Sequence, residues 1–206
     1  KFFKLYNLLL LTIFVLPFSG KILSDDFKEF IQTSSGKVIA QKKNGIFLWE
    51  DIPFALPPVG ELRWKAPRPF INDNLNIIPK KNNFCHQEIG GEIQEVYETG
   101  SEDCLYLDIR APHGDRDNLP VMFWIHGGGN TSGHKDFYNF SELVKRKNVI
   151  VVSPNYRLGP LGFFTHPAIQ EFHSGMDKTS NFGILDLVLA LKWVNENIAS
   201  FGGDPN

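Results

Sequence analysis

The chain has 206 residues, 42% of them apolar and 21% charged, so it can bury a core and is not a disordered tail. Its 21 basic and 23 acidic residues leave a formal charge of −2, without the clustered basic excess that nucleic acid demands. Two Cys exclude a disulfide-dense miniprotein and a four-Cys zinc site.

Residues 1–20 read as a secretory signal peptide. Lys1 and Lys4 are a short positive head, residues 5–18 are almost wholly apolar, and Ser19-Gly20 precedes a polar stretch. The run falls short of the about 20 apolar residues of a membrane span, which weighs against the alternatives of an uncleaved anchor or a buried strand. Residues 21–206 are then a secreted, extracellular chain in an oxidising environment, where two Cys can pair. Residues 37–40 and 45–49 read as short antiparallel strands. Pro53, Pro57, Pro58, Pro67 and Pro69 make 51–70 an extended, irregular crossing. Residues 72–100 are polar and read as loop, and 105–109 alternate as a strand. The apolar runs 120–125 and 148–153 suit strands covered on both faces, as in a mostly parallel sheet.

From Ile184 the period becomes helical. Ile184, Leu185, Val188, Leu191, Val194 and Ile198 recur on one face, widened by Leu189 and Trp193. Asn181 is the expected cap and Gly202-Gly203 the expected stop. Strands followed by such a helix indicate an α/β architecture. A doubly wound sheet would continue with another strand, so the end at Asn206 reads as a cut.

The stretch richest in chemistry is Trp124-Ile125-His126-Gly127-Gly128-Gly129. Three consecutive glycines cost backbone entropy, so something requires them. One reason is the approach of bare N–H groups to an anion or a developing oxyanion; the other is a plain turn at a strand end. No Gly-x-Gly-x-x-Gly or Gly-Lys-Ser/Thr follows, so neither a dinucleotide fingerprint nor a P-loop is present.

The stretch resembles the His-Gly-Gly-Gly oxyanion-hole motif of α/β-hydrolase esterases. Four further segments resemble, in order, the type-B carboxylesterase and cholinesterase family. They are Ile52-Pro53-Phe54-Ala55 with Pro57-Pro58-Val59-Gly60-Glu61-Leu62-Arg63; Glu102-Asp103-Cys104-Leu105-Tyr106-Leu107; Asn155-Tyr156-Arg157-Leu158-Gly159; and Asn181-Phe182-Gly183-Ile184-Leu185-Asp186 through Phe201-Gly202-Gly203-Asp204-Pro205. Three positions depart from the family: Asn130 where an aromatic residue often follows the glycines, Leu187 where Gln is usual, and Arg110 where an apolar residue is usual.

The resemblance implies the N-terminal part of an α/β-hydrolase domain over 21–206, its antiparallel strands leading into a mostly parallel sheet. It implies a serine esterase acting on small-molecule esters through an acyl-enzyme, without a cofactor. Gly128 and Gly129 would offer N–H groups to the oxyanion. Cys85 and Cys104 would form a disulfide, and Arg63 with Glu102 and Arg157 with Asp186 would be buried ion pairs. The nucleophile elbow, Gly-x-Ser-x-Gly, would come after Gly-Gly-Asp-Pro and does not occur in the chain, so these 206 residues alone are expected to be inactive. The six histidines (His86, His113, His126, His134, His166 and His173) include no base by resemblance. The segment 86–103 lacks the Trp that holds choline in cholinesterases and has only Tyr97 as an aromatic residue, which favours general carboxylic esters. A non-catalytic, neuroligin-like adhesion protein on the same fold is the alternative. Of two glycosylation sequons, Asn139-Phe140-Ser141 is expected to be exposed and Asn130-Thr131-Ser132 too buried to accept a glycan.

Overall fold

A computed structural model describes residues 30–80, 83–91 and 94–206. The expected signal peptide at 1–20 and the Tyr97 side chain lie outside what is described. In chain order the strands β1 (Phe30–Thr33), β2 (Gly36–Ile39), β3 (Gln41–Lys43) and β4 (Ile46–Pro53) open the fold. After the Pro-rich crossing come β5 (Gln87–Gly91), β6 (Gln94–Thr99), β7 (Tyr106–Pro112) and β8 (Val121–Phe123). Then follow α1 (Ser141–Lys147), β9 (Ile150–Pro154), α2 (Gly159–Phe163), α3 (Pro167–Glu171) and α4 (Phe182–Asn197).

The main sheet has the order β3-β4-β7-β9-β8. β3, β4, β7 and β9 pair antiparallel in turn, and β8 joins β9 in parallel through the α1 crossover, so the sheet is mixed. Every residue of β7 and β9 is buried, as expected of strands covered on both faces. On one face Leu107, Ile109 and Ala111 share the main core with Trp49, Phe201 and the α4 residues Leu187, Ala190, Trp193 and Val194. On the other, Ile46 and Val151 pack against Val144 of α1, with Trp124 and Phe140 at the margin. The outcome is a helix-sheet-helix sandwich.

Four expectations are corrected. The polar stretch 72–100 is not all loop: β5 and β6 pair there as an antiparallel hairpin, built from residues too polar to signal a strand. The run 120–125 is not covered on both faces, since β8 is half-buried at the edge of the described sheet. The expected face of α4 holds only in part: Trp193, Val194 and Ile198 are buried as expected, but the rest of the core-facing side is different. Its buried residues are Phe182, Gly183, Asp186, Leu187, Ala190, Trp193, Val194 and Asn197, whereas Ile184, Val188 and Leu191 are exposed. The helix is apolar on two sides, so periodicity could not choose between them. Asn181 occupies the cap position, but its side chain makes no capping bond; its carbonyl accepts from Ile184 and Leu185 instead.

Candidate active site

The last bond of the parallel ladder runs from Trp124 N–H to the Val152 carbonyl, at 2.8 Å. Beyond it the chain leaves the carboxyl end of β8 and forms a loop at residues 126–133. The carboxyl end of β9 carries Asn155, Tyr156 and Arg157 beside it. Crevices outside the carboxyl ends of strands are where open α/β sheets bind ligands.

The loop is braced by its own backbone. The Gly128 carbonyl accepts from Thr131 N–H at 3.1 Å, Ser132 N–H at 3.2 Å and Thr131 Oγ1 at 3.0 Å. Gly128 has φ +117°, and a Cβ there would fall 2.1 Å from the Ser132 carbonyl oxygen, so the turn itself excludes a side chain. Gly129 differs: its φ is +62°, and a Cβ there would meet nothing within 4 Å. Gly128 therefore serves the fold of the loop, while Gly129 borders open space. Both are exposed, and neither N–H donates to an acceptor among the described residues.

One side chain and one backbone N–H beyond β9 steady this loop. The Tyr156 ring stacks on His126 with centroids 4.4 Å apart. Its hydroxyl lies 3.3 Å from both the His126 carbonyl and Asn130 Oδ1, and its one proton serves either acceptor at a time. Gly159 N–H donates to the Asn130 carbonyl at 2.7 Å. His126 is buried, with Nδ1 3.0 Å from the Gly127 carbonyl and Nε2 lacking a hydrogen-bond partner among the described residues. Burial pushes its imidazole below the ordinary range against the opposing pull of the Gly127 carbonyl, so His126 is neutral at pH 7 and Nδ1 carries the proton. Thr131 and Ser132 also line a cleft of about 850 Å³, with Trp64, Gln87, Ser101 and Leu158 on its other walls.

Cys85 and Cys104 are joined as a disulfide. The Asn155 amide donates to the Asn83 carbonyl at 2.8 Å and the Cys104 carbonyl at 3.2 Å, and accepts from Lys135 N–H at 2.9 Å. One buried side chain thus ties the β9 end, the disulfide and the stretch after the glycine loop together. Arg157 meets Asp186 through Nε at 2.8 Å, Nη2 at 2.7 Å and its backbone N–H at 3.0 Å, with both side chains almost wholly buried. Arg63 and Glu102 also pair through two bonds of 2.6 Å, but their side chains are 41% and 27% exposed, so the expectation of a second buried pair is corrected. Asn139 is exposed, and its Oδ1 accepts from Ser141 N–H at 3.0 Å, which leaves the amide nitrogen free of that bond. Asn130 is exposed too, contrary to expectation.

The largest polar feature was missed by sequence reasoning. Lys135 Nζ, buried, lies 2.9 Å from Asp51, 2.9 Å from Asp108 and 2.7 Å from Asp136. Arg110 reaches Ser153 Oγ at 2.8 Å, Asp136 at 3.1 Å and Asp108 at 3.2 Å. Asp51 sits at the irregularity in β4, with φ +58°, and its N–H donates to Asp108 at 2.9 Å. Burial pushes the Asp108 carboxyl up to about 7, against the lowering pull of Lys135. Burial alone would lower Lys135, but the carboxylates around it outweigh that and hold it above the ordinary lysine value. Glu50, Asp108 and Asp136 offer carboxylate oxygens within 4.8 Å of one another, but Lys135 and Arg110 already answer the charge of the two aspartates. The signal was present in the strand: Asp108 and Arg110 interrupt an otherwise apolar, fully buried β7 and had to find partners.

Comparison with known proteins matches residues 28–206 to the carboxylesterase family. The para-nitrobenzyl esterase of Bacillus subtilis (strain 168) is 40% identical over 185 residues, covering 86% of this chain and 36% of that protein. The cholinesterase of Mus musculus is 36% identical over 213 residues, covering 96% of this chain and 34% of that protein. A solved PNB esterase superposes with a TM-score of 0.73 at 40% identity, over 87% of this chain and 36% of that one. The chain thus spans about a third of the length of the curated relatives it matches. With the glycine loop at the carboxyl edge of a mixed sheet and a family match over nearly all described residues, the chain belongs to the carboxylesterase family and has the α/β-hydrolase fold of its solved relatives.

Proposed function

We propose that the full-length protein is a secreted carboxylic-ester hydrolase whose oxyanion hole is built partly from the N–H groups of Gly128 and Gly129. The observation that carries this reading is the pair of exposed N–H groups without an acceptor among the described residues, on a loop otherwise held by its own hydrogen bonds and by Tyr156. Donors fixed before the reaction need no reorganisation when a carbonyl oxygen becomes an oxyanion. Each contributes about 3 kcal/mol, or on the order of 100-fold in rate. A serine nucleophile, its histidine base and an orienting acid belong, in this reading, to sequence beyond Asn206, and water then releases the acid from the acyl-enzyme.

Substrates are small-molecule esters. The absence of Trp from 86–103 favours general carboxylic esters over choline esters. Secretion rests on the character of residues 1–20, and Asn139 is the proposed glycan site because it is exposed. The full-length protein is expected to hydrolyse p-nitrophenyl acetate and to be labelled stoichiometrically by an organophosphate, whereas the 206-residue chain does neither. A full-length protein bearing an intact Ser-His-acid set that resists the label would overturn the reading.

A further inference from the structure

The Gln87 side chain, 7% exposed, makes three bonds that together join two separate parts of the site. Its Oε1 accepts from Gly133 N–H at 2.9 Å, and its Nε2 donates to the Gly133 carbonyl at 3.0 Å. The second Nε2 proton goes to the Cys85 carbonyl at 2.9 Å. An amide turned end for end would set its oxygen against two carbonyls and its nitrogen against an N–H, so this orientation alone satisfies every group. The paired bonds to Gly133 imitate one rung of an antiparallel ladder, made by a side chain rather than a strand.

What the rung connects gives it meaning. Gly133 ends the glycine loop, four residues beyond Gly129. Cys85 is fixed by its disulfide to Cys104, whose carbonyl is held by Asn155 from the end of β9. The opposite side of the loop is held by Tyr156 and by the Gly159 bond to Asn130. Thus the loop is gripped from the β9 side by the backbone and a phenol, and from the disulfide side by Gln87. Gln87 also lines the cleft of about 850 Å³, along with Thr131 and Ser132 of the same loop.

We propose that Gln87 is a positioning residue for the oxyanion hole: through Gly133 it sets the aim of the Gly128 and Gly129 N–H groups, and it makes the disulfide segment part of that hole's scaffold. The inference rests on the ester-hydrolase reading above. Gln87→Glu keeps the shape of the side chain but turns its donating end into an acceptor facing the Gly133 and Cys85 carbonyls. Gln87→Met keeps the bulk and removes all three bonds.

The test uses the full-length protein, with rates expressed per site titratable by an organophosphate, so that a misfolded fraction does not count. Both variants are expected to lose on the order of 10- to 100-fold in kcat, the scale of a small misplacement of reacting groups, with KM for p-nitrophenyl acetate changed less than about threefold. The inhibition constant of an aryl trifluoromethyl ketone, whose adduct places an oxyanion in the hole, should rise by the same factor. Gln87→Glu should recover activity relative to wild type as pH falls, because a protonated carboxyl restores one donor to the rung. In hydrogen exchange, residues 126–133 should lose protection while α4 keeps it. A wild-type protein that turns over no ester overturns the ester-hydrolase reading itself, whatever Gln87 does. An active wild type whose Gln87 variants keep the wild-type inhibition constant and loop protection overturns the positioning role alone.

Discussion

Gly128 and Gly129 are adjacent in the chain but sit in different surroundings, so alanine at each position separates the two explanations for the glycine run. Gly129→Ala adds a Cβ that meets nothing within 4 Å, so its effect on folding reduces to backbone conformation. At φ +62° that is a left-handed residue, and alanine there costs about 1–2 kcal/mol. Gly128→Ala pays a larger penalty, since its Cβ would lie 2.1 Å from the Ser132 carbonyl oxygen and the turn must reopen. Neither loop residue is buried, so both variants of the full-length protein should still fold. Catalysis should respond differently. If the Gly129 N–H faces the oxyanion, the added Cβ enters the open space that the reacting carbonyl must occupy and the strained backbone turns the N–H aside, which forfeits up to about 3 kcal/mol, on the order of 100-fold in kcat. The assay is kcat for p-nitrophenyl acetate per organophosphate-titrated site, alongside the urea midpoint. The expected pattern is a modest midpoint shift for Gly129→Ala with a large fall in kcat, and a larger effect on both for Gly128→Ala. A Gly129→Ala protein with kcat within threefold of wild type per site would show that the glycines serve only the turn.

Four further outcomes follow from the geometry. Asp186→Asn should destabilise by about 3–5 kcal/mol in chemical denaturation, because it strands a buried guanidinium, and Arg157→Met with Asp186→Leu should recover most of that loss; a double variant no better than Asp186→Asn would contradict this. Replacing Cys85 and Cys104 by Ala should lower stability by about 3 kcal/mol through the freed loop entropy of the unfolded chain, read from the urea midpoint. His126 is held below its ordinary value by burial, so the unfolded chain takes up the proton first and stability falls as pH drops below about 6.5; His126→Asn should flatten that slope between pH 7.5 and 5.5. Asp108 acts with the opposite sign. With its carboxyl lifted to about 7, the folded state keeps a proton that the unfolded chain has lost, so its contribution declines as pH rises from about 4 to that value; an Asp108→Asn protein with an unchanged pH slope would refute the assignment.

Much of the architecture was legible because it rests on local patterns. Compact apolar runs gave β9 and placed β8, and the change of period at Ile184 gave α4. Which side of α4 faces the core was only partly legible, since Ile184, Val188 and Leu191 are as apolar as the buried side, and long-range packing, such as that of Phe201 on Trp49 and Trp193, decides it. The hairpin β5–β6 escaped notice because its residues carry little apolar alternation. Within the site, the glycine run was visible as a composition anomaly. The groups that hold it were not, because Gln87, Asn155, Tyr156 and Lys135 act through contacts between residues distant in sequence. In the sequence Arg110 stands out only as a charge where an apolar residue is usual, yet its guanidinium joins the buried charge cluster. Long-range polar pairing leaves no period in the sequence, only an odd residue in an apolar strand.

The glycine loop has firmly anchored feet and an exposed crest. One foot is His126, pressed beneath Tyr156; beyond the other, Lys135 is sunk among carboxylates and the exposed Asp136 pairs with it and with Arg110. The crest, around Asn130 and Thr131, faces solvent. Asn130 and Thr131 thus meet solvent and brace the loop at once, through the Tyr156 hydroxyl and the Gly128 carbonyl, and Asn130 holds a left-handed backbone at φ +61°; exchanging either side chain changes the face presented to an incoming molecule and the bracing together.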